Sequence, residues 1–205
     1  MTSLFESKKL FRLFNIDFYF HWSLLFLLMF GFKLAIIIMV SIFFHELAHT
    51  LVARKYNLSK DKINFNFLFG GAAMKKDIIK ITPIKRLKIA IAGPVSHLFL
   101  IIISFIVALF SPEIFLNFIS EFIVLNFMFF FLNLLPILPL DGFHVLTSIL
   151  QVKTKKYLSI SLIVSIISCI IAIILSLIFG LYFAALISVG FLYYSYKKYK
   201  NFKSF

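Results

Sequence analysis

Two histidines and a glutamate stand in an otherwise apolar segment, SIFFHELAHT over residues 41–50. His45 and His49 are four positions apart, so on a helix their side chains share one face and can hold one metal ion. Glu46 lies beside them, where a carboxylate can take a proton from a metal-bound water molecule. A charged group inside an apolar span costs about 2–3 kcal/mol. We therefore interpret the three residues as a metal site with a general base, in preference to polar residues that reach the membrane surface from a helix end.

A catalytic zinc site needs a third protein ligand and leaves one position open for water. The segment NLLPILPLDG over residues 133–142 offers Asp141. Pro136 and Pro139 break the helix there, and irregular backbone at membrane depth is tolerated only where protein or a watery cavity surrounds it. Asp141 can then turn back toward the histidines, although a helix cap at the membrane edge is the alternative. Asn133 can donate a hydrogen bond to a substrate carbonyl or its developing oxyanion.

Four other polar residues in or near apolar segments have open interpretations. His144 is an alternative ligand because it is close to Asp141, but its position three residues further on favours the inner membrane surface. His97 either hydrogen-bonds a neighbouring helix or lies in the catalytic cleft. We interpret His21 as an interfacial residue and place Glu121 near the outer membrane surface.

The composition excludes a soluble protein. Of the 205 residues, 62% are apolar and only 14% are charged, against about 45–50% and 25% in soluble domains. The mean hydropathy is +1.04, and the one cysteine excludes a disulfide framework. We predict an all-α polytopic membrane protein with one transmembrane domain over residues 1–205 and no separate soluble domain. Its six spans, each of about 20 apolar residues, are Phe18–Phe32 (which is short), Leu34–Ala53, Ile89–Phe110, Ile114–Leu135, Tyr157–Phe179 and Leu181–Tyr196.

The basic residues are distributed on one side of these spans. Of the 21 lysines and arginines, all but Lys33 lie in the amino-terminal segment, the loop after the second span, the loop between spans four and five, or the carboxyl-terminal tail. By the positive-inside rule, both termini are cytoplasmic in a multi-pass protein of the cell membrane. Because the charge is spread over every inner loop and forms no basic module, we exclude nucleic acid as a partner.

A short strand is predicted in the loop between spans two and three. Residues 63–69 approximate an alternation of apolar and polar side chains and run into Gly70 and Gly71, which is typical of a strand that ends in a turn. One interpretation is a small β-hairpin on the lipid headgroups. In the other, the strand binds an extended substrate segment by strand addition, with Phe65 and Phe67 in the strand and the glycines allowing close backbone approach.

Together these motifs resemble the site-2 protease family of intramembrane zinc metalloproteases. They are HExxH in a span, NxxPxxPLDG two spans later, the Gly-Gly strand between them, and AGP over residues 92–94. The six-span layout is most similar to the bacterial stage IV sporulation proteases. The resemblance implies that His45, His49 and Asp141 bind one zinc ion, that Glu46 is the general base, and that Asn133 is the asparagine of the motif.

The resemblance also implies a substrate and partners. The substrate would be a membrane-tethered regulatory protein such as a pro-sigma factor, cut in or near its membrane segment, and a membrane protein partner would hold the enzyme inactive. Three features depart from the family pattern: DGFH replaces the common DGG-R, AGPVSH replaces AGPxxN, and the regulatory CBS domain is absent. A metal transporter and a proteolytically inactive membrane scaffold are the alternative functions.

Overall fold

The computed structural model describes residues 7–65, 70–74 and 81–203. Its chain divides into two compact units, Met1–Lys80 with Ala92–Phe130, and Ile81–Ile91 with Phe131–Phe205. The elements in the described ranges are, in chain order, β1 (Lys8–Leu13), β2 (Ile16–Phe20), a 3-10 helix (Trp22–Phe30), α1 (Phe32–Lys55), β3 (Ser59–Phe65), β4 (Gly70–Met74), α2 (Pro83–Leu109), α3 (Glu113–Leu134), α4 (Asp141–Lys153), α5 (Tyr157–Ile178) and α6 (Tyr182–Lys203).

The first unit contains a sheet with the strand order β1-β2-β3-β4. β1 and β2 are antiparallel and are joined by a tight turn, in which Phe14 and Asn15 have φ angles of 49° and 60°. Two consecutive residues with positive φ are typical of a turn that matches the right-handed twist of a hairpin. β2 runs parallel to β3, and β3 is antiparallel to β4. The antiparallel pairing of β3 and β4 agrees with the predicted hairpin, although Phe67 lies outside the described residues.

The sheet packs one face against α1. Alternate side chains of β2 and β3 are buried there with a side chain of the helix, in agreement with the period of two in a strand. The cluster consists of Ile16, Phe18, Ile63, Phe65 and Leu47. Because α1 carries the HExxH motif, this apolar contact holds the motif-bearing helix against the sheet.

The segment predicted as the first span, Phe18–Phe32, is not a transmembrane α-helix, and this prediction is wrong. The chain completes β2 and then forms the nine-residue 3-10 helix Trp22–Phe30. At about 2.0 Å per residue such a helix is roughly 18 Å long, well short of a bilayer core of about 30 Å. His21 caps it, since its Nδ1 accepts a hydrogen bond from the backbone of Ser23.

Four helices among the described residues are long and apolar enough to cross a membrane, namely α1, α2, α3 and α5. The chain is therefore a polytopic membrane protein, while six spans are not confirmed. The sixth predicted span does form the 22-residue helix α6, but lysines 197, 198, 200 and 203 occupy its last two turns and shorten its apolar part.

The second unit contains α4, α5 and α6, with α5 packed against both of the others. The irregular segment between α3 and α4 carries the two predicted helix-breaking prolines. Within it, the buried backbone N–H of Leu138 donates to the hydroxyl of Ser165 on α5 at 2.8 Å, and this hydroxyl lies 2.9 Å from that of Ser195 on α6. The side chain of Leu138 packs with Phe143 and Leu162. These contacts hold the chain just before Asp141, the first residue of α4.

Candidate metal centre

The two histidines of the HExxH motif converge on α1. The Nε2 atoms of His45 and His49 lie 3.0 Å apart, and each residue is only 7% exposed, as is Glu46 between them. Two nitrogens at about 2.05 Å from one tetrahedral zinc ion would be about 3.3 Å apart. The observed spacing therefore fits two imidazoles that share one cation.

A glycine of the AGP motif provides room for these imidazoles. A Cβ placed on Gly93 of α2 would lie 2.4 Å from His49 Nε2 and 2.6 Å from His45 Cε1. Real Cβ atoms do not approach other atoms so closely, so any larger residue would push the imidazoles aside. The sequence drew attention to this motif only as part of a resemblance, whereas the structure gives Gly93 a physical role.

His97 connects the site to a third helix. His97 Nε2 lies 3.0 Å from His45 Nδ1, and His97 Nδ1 lies 2.8 Å from Asn126 Oδ1 on α3. His97 is 1% exposed and Asn126 is fully buried. Of the two predicted roles for His97, the hydrogen bond to a neighbouring helix is confirmed, and one of its partners is itself a predicted ligand. Asn126 was not singled out in the sequence, where the only signal is an amide inside an apolar span.

Asp141 begins α4 in the second unit and is half-buried. The next residue, Gly142, allows the chain to fold tightly at this point, because a Cβ there would lie 2.1 Å from the carbonyl oxygen of Leu134 at the end of α3. The Asp-Gly pair of the motif thus belongs to a close turn that presents the carboxylate at a helix start. Among the described residues, His45, His49 and Asp141 are a group that could hold a metal ion, and two histidines with one carboxylate are a ligand set typical of catalytic zinc.

The other predicted residues have the following positions. Asn133 lies in the last turn of α3 and His144 in the first turn of α4, and both are half-buried. Glu121 forms an exposed ion pair with Lys33 at 2.6 Å. Phe65 is 4% exposed in the core of the sheet, and its backbone pairs with β2 on one side and with β4 on the other.

Gly70 and Gly71, the glycines of the predicted substrate strand, belong to β4, at the end of the strand order. The structure therefore gives a different arrangement from the predicted one: β3 leaves no free edge at Phe65 for a further strand. β4 is the outer strand of the sheet formed by the described residues.

A family model, peptidase family M50, matches residues 33–117 and 111–178 of the chain. This range contains the HExxH motif, the AGP motif and the Asp-Gly pair. Apart from the first residue of α1, it also contains α1, α2, α3 and α5, the helices of the described part of the chain that are long and apolar enough to span a membrane.

Two proteins of Methanocaldococcus jannaschii illustrate the similarity. A zinc metalloprotease is 36% identical over 135 residues, which are 64% of this chain and 36% of that protein. The chain thus spans about a third of the length of this relative. A solved site-2 protease structure superimposes with a TM-score of 0.68 at 26% identity and covers 95% of both chains. The family model, the motifs and the fold agree, and the chain belongs to peptidase family M50.

Proposed function

We propose that the protein is an intramembrane zinc metalloprotease, which hydrolyses a peptide bond in or near the membrane segment of a protein substrate. The observation that carries this proposal is the convergence of the His45 and His49 nitrogens in a buried part of a membrane-spanning helix, with Glu46 between them. Burying three ionisable groups in an apolar span is costly. A bound metal ion would offset this free-energy cost, and metal-dependent catalysis would explain why the three ionisable groups are present.

His45, His49 and Asp141 would hold the zinc ion, consistent with the three protein ligands of catalytic zinc sites. When bound, zinc acidifies a water molecule and polarises the scissile carbonyl. Glu46 would accept the proton of that water molecule and later donate it to the leaving amine. Asn133 would donate a hydrogen bond to the carbonyl oxygen as negative charge develops on it. Its place in the last turn of α3, shortly before Asp141, supports this role.

The substrate segment must be extended when it is cut, because the backbone carbonyls of a helix are internally hydrogen-bonded. We place it against β4 by strand addition. Two observations support β4: it ends the strand order of the described sheet, and it packs against α1, the helix of the zinc-binding histidines. Gly70 and Gly71 lack side chains and allow a substrate backbone to approach closely.

Proline substitutions in β4 test this docking position, because proline removes one backbone N–H donor. Successive residues of an edge strand point their N–H groups inward and outward in turn. One of the two variants Gly71→Pro and Ala72→Pro loses an N–H group that faces β3, and it should weaken the pairing of β4 with β3. The other loses an N–H group that faces outward, and it should reduce cleavage while its bound zinc and its helix content stay unchanged. If both variants cleave like the parent, the substrate does not bind at β4.

By resemblance, the substrate is a membrane-tethered regulatory protein such as a sigma-factor precursor of sporulation, and a second membrane protein would inhibit the enzyme.

To test this substrate, the chain is co-expressed with a tethered sigma-factor precursor, and the size of the precursor is measured on a gel. Glu46→Gln is the matched variant, since it keeps the shape and the ligands and removes only the base. We expect cleavage by the parent and a loss of at least about 100-fold in the variant.

The alternative outcomes separate the parts of this proposal. If neither protein cleaves but the purified parent holds one zinc ion, the choice of substrate is wrong. If Glu46→Gln cleaves as well as the parent, a host protease is responsible. That result would overturn the protease assignment and favour a transporter or an inactive scaffold.

A further inference from the structure

A chain of three buried polar side chains crosses three helices of the first unit. It begins at Asn126 on α3, passes through His97 on α2 and ends at His45 on α1, with contacts of 2.8 Å and 3.0 Å. The ring of Phe129 packs 5.6 Å from the ring of His97 and encloses it on one side. Buried polar groups are kept in proteins when they are hydrogen-bonded, but the sequence could have supplied apolar residues here. A function of these three hydrogen-bonded side chains would explain why polar residues are present at these positions.

The direction of each hydrogen bond in this chain follows from Asn126. Its Nδ2 donates to the backbone oxygen of Phe122 at 2.8 Å, so its Oδ1 faces His97. An amide oxygen only accepts. His97 Nδ1 must therefore carry the hydrogen, which leaves a lone pair on His97 Nε2 in the neutral ring. That lone pair accepts the hydrogen of His45 Nδ1, and the lone pair of His45 is left on Nε2.

This is the tautomer that a metal ligand needs, because His45 Nε2 is the atom that faces His49 Nε2. Metal-binding histidines generally donate the hydrogen of their other ring nitrogen to a neighbouring acceptor, which sets both tautomer and ring orientation. We propose that His97 and Asn126 act together as positioning residues, which hold the lone pair of His45 on Nε2 and the ring in its metal-binding orientation. The proposal rests on the proposed role of His45 as a zinc ligand.

The contact also explains why a histidine at position 97 needs Asn126. An amide oxygen at the place of His97 Nε2 would accept from His45 Nδ1 with no further partner. A histidine accepts only in one tautomer, so it needs a second residue to select that tautomer. Asn126 is that residue in this chain.

Zinc affinity of the purified chain in detergent, measured by competition with a chelator, is the first test. We expect Asn126→Leu and His97→Leu each to weaken zinc binding by about 10–100-fold, the usual effect of losing such a partner. Asn126→Asp keeps an acceptor for His97 Nδ1–H but loses the donor to the Phe122 carbonyl, so we expect its zinc affinity to lie between those of the parent and Asn126→Leu. Asn117→Leu is the matched control, because Asn117 is exposed on the same helix.

A double variant separates positioning from a general loss of structure. His97→Gln places an amide oxygen near the position of Nε2 and should keep zinc affinity, and adding Asn126→Leu to His97→Gln should weaken zinc binding little further, since an amide oxygen needs no tautomer selection. If Asn126→Leu weakens zinc binding equally in both backgrounds, the residue is merely structural and the proposal is overturned.

Nitrogen-15 NMR of histidine-labelled, zinc-free protein gives a readout independent of binding. The parent should show His45 with a protonated Nδ1 and an unprotonated Nε2, and Asn126→Leu should show a mixture of tautomers. A mixture in the parent would overturn the proposal.

His45→Ala distinguishes the ligand role of His45 from the positioning role of His97 and Asn126: if His45→Ala keeps zinc, the ligand assignment is wrong. If it loses zinc while His97→Leu and Asn126→Leu bind as tightly as the parent, the positioning role is wrong.

Discussion

At the scale of single residues, the proposed zinc site depends on space as much as on ligands. The imidazoles of His45 and His49 occupy the volume that a side chain on Gly93 would need. A glycine inside a helix costs about 1 kcal/mol relative to alanine. Its presence in α2 is therefore a local disadvantage, which the neighbouring imidazoles of the two proposed metal ligands explain.

Gly93→Ala is accordingly expected to weaken zinc binding by at least about 10–100-fold, the range known for lost support of a ligand, since the new Cβ displaces the ligands themselves. Helix propensity alone would make Gly93→Ala stabilise the helix, so a weaker helix cannot account for the loss of zinc affinity. Gly190→Ala is the matched control, because nothing lies within 4 Å of a Cβ on Gly190 in α6. The measurement is zinc affinity of both purified variants, and unchanged affinity in Gly93→Ala would contradict the geometry.

The sequence allowed part of this site to be predicted. His45, Glu46 and His49 follow from spacing along one helix, where neighbours in space are also neighbours in sequence. Asn126 does not, because its contact with His97 joins residues 29 positions apart on different helices. The role of Gly93 is hidden for the same reason: a glycine in a motif does not show which side chain fills the space beside it.

At the scale of elements, hydropathy alone did not distinguish a span from a strand followed by a 3-10 helix. Residues 18–32 are apolar apart from His21 and Ser23, but β2 pairs with β3, which lies more than 40 residues further along the chain. Such long-range pairing leaves no local signal in the sequence.

The break between α3 and α4 was predictable because proline acts locally. The hydroxyl of Ser165, which binds the backbone in this break, lies on α5 and was not predictable from the local sequence.

Ser165→Ala is expected to destabilise the second unit by about 1–3 kcal/mol, because the buried N–H of Leu138 then has no acceptor from that hydroxyl. A looser turn before Asp141 should also weaken zinc binding. Ser188→Ala is the control, since Ser188 Oγ donates only to the backbone of its own helix at Ala184 among the contacts described. Thermal unfolding and zinc affinity, measured on both variants, check the prediction. Equal stability of the two variants would show that Ser165 does not support the turn.

At the scale of the whole molecule, the distribution of charge gives an expectation for orientation. Ser111 lies between α2 and α3, whereas Lys155 lies between α4 and α5 in a group of three lysines. The positive-inside rule places Lys155 in the cytoplasm and Ser111 outside. This argument does not depend on the number of spans, because the wrong prediction for the first span changes neither loop.

Labelling of intact cells with a membrane-impermeant maleimide tests this orientation. Ser111→Cys should be labelled without permeabilisation, and Lys155→Cys only after it. The parent chain is the control, since its one cysteine, Cys169, is buried in α5 and should not react in either case. The opposite pattern would reverse the topology. It would also move the site of cleavage, because the basic loops would then lie on the outer side of the membrane. A substrate that is cut near these loops would be released outside and could not be a cytoplasmic transcription factor.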